Sequence, residues 1–246
     1  SSLAPRIWKK VLAEGFTQFS NWAKGSELAL FSSVPQIAIK HKINLIFWGE
    51  NPALQLGDMK TLGSNGYEGN NLKFMNTLQG GDIDWLINSG INKKLLMPYV
   101  YPSTKDFLNS NIEIIYLGWF WKDWSVVNNG MYSGLNGLQI RADKVENTGD
   151  FFGISALDED WVTLNQMIKY YKFGFGKVTD FVNEEIRMGK ITRKEAIGLV
   201  EKYDHSCSDN YIQDFCDYIG ISPEQFWNHV QKSVNKELFV IDDNGN

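Results

Sequence analysis

The run Ile43-Asn44-Leu45-Ile46-Phe47-Trp48-Gly49 decides the fold class. It is short, apolar, rich in β-branched and aromatic residues, and it ends on glycine. Such a run reads as a strand buried in a parallel sheet. The stretch Ile112-Glu113-Ile114-Ile115-Tyr116-Leu117-Gly118 repeats the pattern. Two such strands with helical pieces between them predict an α/β fold.

Upstream of the first strand the spacing is helical. Ile7, Trp8, Val11 and Leu12 mark one helix over 6–14. Ser26 is placed to cap a second, and Pro35 inside it predicts a kink or a split. Downstream, residues 50–82 are rich in Gly and Asn and predict a long functional loop. Asp82 caps a short helix to Asn88, and Ser103 or Thr104 opens another that ends near Asn109. Residues 119–157 show no clear period, but Trp119, Phe120, Trp121 and Trp124 form an aromatic cluster. From residue 158 the chain reads as helices over 158–171, 179–188, 192–203 and 208–219, with a fifth opened by Ser222-Pro223-Glu224-Gln225. The expected organisation is an α/β part over 1–150 and a helical part over 151–246.

The chain has 246 residues, enough for one large domain or two small ones. Aromatics make up 14%, which argues against disorder. The net charge of −5 argues against a bulk electrostatic grip on nucleic acid. Cys207 and Cys216 are the two cysteines; they form neither a disulfide framework nor a zinc spacing, and they fit a reducing cytoplasm. No run of eighteen apolar residues predicts a membrane span. The opening residues do not read as a signal peptide, and the missing Met reads as a cut end.

Several residues carry candidate chemistry. Gly49-Glu50-Asn51-Pro52 follows a strand end, where open α/β sheets bind ligands, although Asn and Pro also simply form turns. The polar loop leading to Gly80-Gly81-Asp82 suits a sugar-like ligand, or is an ordinary polar loop. Lys172-Phe173-Gly174-Phe175-Gly176-Lys177 ahead of Asp180 joins two glycines, two lysines and a helix start. That reads as an anion site, or as a glycine stop followed by a new cap. Arg187 and Arg193 could grip phosphate, or pair on the surface with Glu184, Glu185 or Glu195. His41, His205 and His229 are scattered, with no metal pattern, and neither a Gly-x-Ser-x-Gly elbow nor a Walker A run occurs.

Longer stretches carry a resemblance. They include Ser26-Glu27-Leu28-Ala29-Leu30-Phe31, Trp48-Gly49-Glu50-Asn51-Pro52-Ala53, Thr77-Leu78-Gln79-Gly80-Gly81-Asp82, and Leu157-Asp158-Glu159-Asp160-Trp161. Met167-Ile168-Lys169-Tyr170-Tyr171-Lys172-Phe173-Gly174-Phe175-Gly176 with Thr179-Asp180, Glu185-Ile186-Arg187 and Arg193-Lys194-Glu195-Ala196 continue it. Over essentially the whole chain the sequence resembles the N-acetyl sugar amidotransferases of bacterial lipopolysaccharide, O-antigen and pseudaminic or legionaminic acid biosynthesis.

The resemblance implies an incomplete Rossmann-like parallel sheet of the PP-loop ATP pyrophosphatase (HUP) type, followed by a helical C-terminal region. It implies conversion of an acetamido group on a nucleotide-linked sugar into an acetamidino group, with ATP and Mg2+ as cofactors. Adenylation would let the amide oxygen leave as AMP. A glutaminase partner working with a cyclase-like barrel subunit would supply the ammonia. The family's Ser-Gly-Gly-x-Asp-Ser loop and its Cys-rich segment are absent here. The expectation is therefore a C-terminal portion of a longer protein, inactive by itself. By position, the resemblance implies catalytic roles for Glu50, Asn51 and Asp82. Gly49, Gly80, Gly81, Lys172, Lys177, Asp180, Arg187 and Arg193 would bind substrate or phosphate, with no protein-held metal. A module that only docks a partner or binds sugar is the alternative.

Overall fold

A computed structural model describes residues 4–49, 81–117 and 125–240. The chain forms two compact units, Ser1–Gly15 with Trp22–Trp124, and Phe16–Asn21 with Ser125–Asn246. Helix α1, Pro5–Phe19, is counted with the first unit up to Gly15 and with the second from Phe16.

In the first unit, β1 (Leu45–Trp48) pairs in parallel with β2 (Glu113–Tyr116), Ile46 opposite Ile114 and Trp48 opposite Tyr116. Parallel strands cannot be joined by a hairpin. Here the connection includes α3 (Asp84–Asn88), a 3₁₀ turn (Lys93–Tyr99) and α4 (Thr104–Ser110). The expected strands are thus present, but they are not buried on both faces. Ile46, Ile114 and Tyr116 are buried, whereas Leu45 is 41% and Phe47 58% exposed. Side chains alternate along a strand, so a sheet covered on one side leaves the other set outward. Among the described residues the sheet has two strands. That makes the unit α/β without establishing a Rossmann-like sheet.

Helix α2 runs from Lys24 to His41, starting before Ser26 and passing through Pro35 without a break. Pro35 removes one hydrogen bond from the ladder. Tertiary bonds on both sides of it hold the helix in place. Ser32 Oγ donates to the Tyr99 carbonyl at 3.2 Å, and Gln36 Nε2 donates to the Met97 and Val100 carbonyls at 2.9 and 2.5 Å. The helix ends with Lys42 in the left-handed region (φ 56°) and Ile43 N donating to the Ala38 carbonyl at 2.9 Å. That is a Schellman stop without the usual glycine.

The second unit is helical: α5 (Val126–Leu135), α6 (Val145–Thr148), α7 (Val162–Phe173), α8 (Lys177–Arg187), α9 (Arg193–Tyr203), α10 (Asp209–Ile219) and α11 (Pro223–Ser233). The last five are the helices read from the sequence, with shifted starts. Thr192 with Glu195 and Ser222 with Gln225 form reciprocal caps, and Gly174 and Gly220 stop α7 and α10 at positive φ. Helix α7 starts at Val162 rather than 158, because Ala156 (φ 51°) and the residues after it form turns. Helices α5 and α6 had no legible period and lie in this unit.

An aromatic cluster forms the core of the second unit. Phe16 stacks on Phe226 at 4.9 Å and meets Phe215 edge-on at 5.2 Å. Trp161 meets Phe215 at 5.3 Å. Val178, Val182 and Ala196 form a second buried group, with Phe151, Leu199 and Tyr203 packed on it. The Trp119–Trp124 cluster lies outside the described residues.

A Cβ at Gly25 would stand 2.2 Å from Val11 Cγ1. Gly25→Ala is therefore expected to lower stability by about 1–2 kcal/mol despite its better helix propensity. Val11→Ala in the same chain should restore part of that loss in a denaturation cycle. His229 is edge-on to Phe16 at 5.6 Å. Burial and the nearby Lys232 hold its pKa below the ordinary 6.5. The folded state therefore disfavours imidazolium. Stability is expected to be full above pH 6.5 and to fall as the pH drops through the titration of His229. Melting curves of His229→Gln should show a flatter dependence over that window.

Candidate functional site

Gly49 follows β1, and a Cβ there would meet nothing within 4 Å. Glu50, Asn51 and Gly80 lie outside the described residues. Gly81 takes a positive φ of 75°. Asp82 Oδ1 accepts from the Asp84 amide at 2.8 Å, so its carboxylate caps the start of α3.

The turn between α7 and α8 does hold an anion, and that anion belongs to the chain itself. Asp204 is 2% exposed. Its Oδ2 accepts from Gly176 N at 2.7 Å and from Thr179 Oγ1 at 2.6 Å, and its Oδ1 accepts from Thr179 N at 2.9 Å. A Cβ on Gly176 would stand 2.2 Å from the Asp204 carbonyl oxygen, so the close approach requires glycine. An acidic group is favourable at this positive end of the helix. The sequence offers this turn as a place for phosphate or as a stop and a cap. The structure gives a stop at Gly174 and a cap from a residue 28 positions beyond Gly176.

The other expected phosphate ligands also have protein partners or stand apart. Lys172 Nζ donates to the Phe19 carbonyl at 2.8 Å and so caps the end of α1. Burial pulls its pKa below that of a free lysine. Asp180 pairs with Lys169 at 2.6 Å, not with Lys172 or Lys177. Arg187 and Arg193 are exposed, and neither pairs with the glutamates expected for them. Glu184 accepts from Ser125 Oγ and Val126 N, Glu185 pairs with Lys190 at 3.0 Å, and Glu195 closes the Thr192 cap.

Lys177 lies in a narrow cleft with Arg141, Asp150, Ser155, Thr163 and Gln166. Its Nζ donates to Ser155 Oγ and sits 5.4 Å from the Phe181 ring centre. Burial pulls its pKa below the free lysine value, with Asp150 and Asp180 opposing. The buried Asp150 carboxylate accepts from the Phe152, Gly153 and Ser155 amides at 2.9, 2.9 and 3.0 Å. Arg141 donates to Asp160 at 2.5 Å, the Ala156 carbonyl at 2.7 Å and Tyr211 OH at 3.3 Å. Gln166 Oε1 is buried with no hydrogen-bond partner. The free volume is about 10 Å³, at the lower limit for admitting a single water. Arg141, Asp150 and Gln166 were not singled out from the sequence. The run Thr148-Gly149-Asp150 before Gly153 is a turn signal that could have pointed to Asp150. Nothing local marks Arg141 or Gln166. Among the described residues no group of three His, Cys, Asp or Glu side chains is placed to hold a metal ion.

Residues 146–243 match the family model described as the C-terminal domain of WbpG-like LPS biosynthesis proteins. This part of the chain is therefore similar to the C-terminal domain of lipopolysaccharide-biosynthesis proteins, in keeping with the resemblance. The match spans α7 to α11 and includes Asp150, Gln166, Lys177 and Asp204. A search of curated proteins found no match.

Asp204→Gly leaves the Gly176 and Thr179 amides without their acceptor and is expected to cost roughly 3 kcal/mol. Sulfate should recover part of that stability relative to chloride at equal ionic strength, because it can occupy the vacated helix end. Chemical denaturation in the two salts measures both effects.

Proposed function

We propose that this chain serves lipopolysaccharide biosynthesis as part of an amidotransferase that turns an acetamido group of a nucleotide-linked sugar into an acetamidino group. The observation that carries the reading is the match of residues 146–243 to the WbpG-like domain. The whole-chain resemblance supplies the reaction, and the cytoplasm is its proposed place. The carboxyl end of β1, with Gly49, Glu50 and Asn51, and the Gly80-Gly81-Asp82 turn are the proposed sugar site. Ammonia would come from a glutaminase partner and its cyclase-like companion.

The reaction exchanges oxygen for nitrogen at one carbon without a redox change. An amide oxygen is a poor leaving group, so it must first be activated. ATP with Mg2+ is the proposed source of that activation. The start of α8 does not fit a triphosphate: it is filled by Asp204, and the adjoining cleft has a free volume of only about 10 Å³. Neither Lys177 nor the turn before α8 is therefore assigned to the activation step.

A partner-docking role has one observation in its favour. Helix α5 presents Tyr132 at 71% and Leu135 at 85% exposure, beside the exposed Met131. Surfaces of this kind mark interaction sites.

The test uses the full gene product with ATP, Mg2+, an ammonium salt and nucleotide-linked N-acetyl sugars. Sugar-dependent release of AMP and pyrophosphate, with an amidine product by mass spectrometry, is expected. Asn51→Ala should lower kcat/KM by about tenfold or more. AMP release that ignores the sugar would overturn the reading.

A further inference from the structure

Helix α9 turns a patterned face to solvent. Ala196 is buried, and Leu199, Val200 and Tyr203 pack on the same inward side. Lys194, Ile197, Gly198 and Glu201 are spaced to share one stripe on the opposite side. All four are exposed, Ile197 by 46%. Neither Lys194 nor Glu201 takes part in an ion pair among the described residues. Seven residues of helix separate them by about 10.5 Å, beyond the spacing of three or four at which helical side chains pair. No position of α9 three or four from either one holds an opposite charge.

Gly198 stands in the middle of this helix, where glycine weakens it relative to alanine. The packing of one copy does not require it, since a Cβ there would meet nothing within 4 Å. A glycine on an outward face lets a second helix approach closely. Turned end for end, the stripe complements itself. Lys194 falls opposite Glu201, and Ile197 falls opposite Gly198. A parallel copy would instead set Lys194 on Lys194 and Ile197 on Ile197. An anionic surface, such as lipid or nucleic acid, would meet Glu201 along with Lys194, and the chain's net charge of −5 opposes it.

We propose that the outward face of α9 is a contact between two copies of this chain, packed antiparallel about a two-fold axis that passes between Ile197 and Gly198. Each Lys194 then pairs with Glu201 of the second copy, and each Ile197 lies over Gly198 of the second copy. A contact of this kind is isologous and closes at two copies. An 11-residue helix is about 16 Å long, so the contact is short. The dimer is therefore weak, in the micromolar range or above, and sensitive to salt. The pattern belongs to α9 alone and is independent of the proposed reaction.

The test is sedimentation equilibrium of the full chain from micromolar to submillimolar concentration, at low and high salt. The mass should rise with concentration from that of one copy toward that of two, and less so at high salt. Lys194→Glu should weaken association about tenfold or more, because both outer contacts become like-charged. Glu201→Lys should do the same, and the two changes together should regain the association. Gly198→Leu should abolish the dimer while the monomer melts at the same temperature or higher, because the site is open and leucine favours helix more than glycine. Should a charge variant fail to fold, Gly198→Leu decides. A chain that stays single at every concentration leaves the face to a different partner and overturns the proposal. A dimer indifferent to Gly198→Leu overturns it, and so does a double charge exchange that folds without regaining association.

Discussion

The Asp204 carboxylate at the start of α8 organises the C-terminal unit. It follows the last turn of α9 and accepts three hydrogen bonds from Gly176 and Thr179. A helix start exposes amides that need acceptors, and a buried carboxylate needs donors. Each group meets the other's need. The contact fixes where α8 begins and sets α9 beside it, with Val178, Val182 and Ala196 packed between them. It also sends Lys177, the first residue of α8, into its cleft with Ser155.

That arrangement changes what the lysines and glycines of the turn are for. Gly176 is glycine because the Asp204 backbone lies against it. Lys172 neutralises the carbonyl end of α1, where negative partial charge collects. Asp180 serves Lys169. A stretch that looks like a phosphate cradle in one dimension is a junction of three helices in the fold. The cleft beside it keeps one lysine whose donors are not all used and one amide oxygen without a donor.

In the first unit, hydrogen bonds also decide what propensity leaves open. Pro35 should interrupt α2, yet Ser32 and Gln36 tie the helix to the carbonyls of the Lys93–Tyr99 turn on either side of it. The strands are parallel as their composition implied, but Phe47 faces outward. Apolar composition reports that a residue can be buried. It does not report whether a layer covers it.

The sequence by itself determined the two strands, the five C-terminal helices and the local caps of α9 and α11, because those signals act within a few residues. Thr192 reaches Glu195 and Ser222 reaches Gln225 in any context that lets the helix form. It also carried enough of the family's long motifs to point to lipopolysaccharide biosynthesis, and the domain match agrees. Only the tertiary structure decided the partner of each charged group. Asp204 and Gly176 are 28 positions apart, and Lys172 and Phe19 are 153 apart. Arg141, Asp150, Gln166 and Lys177 meet in one cleft though no local spacing links them. A charge close in sequence to a glycine turn can bind a ligand or the chain's own carboxylate with the same hydrogen bonds. Which one it binds depends on what the fold brings to that place.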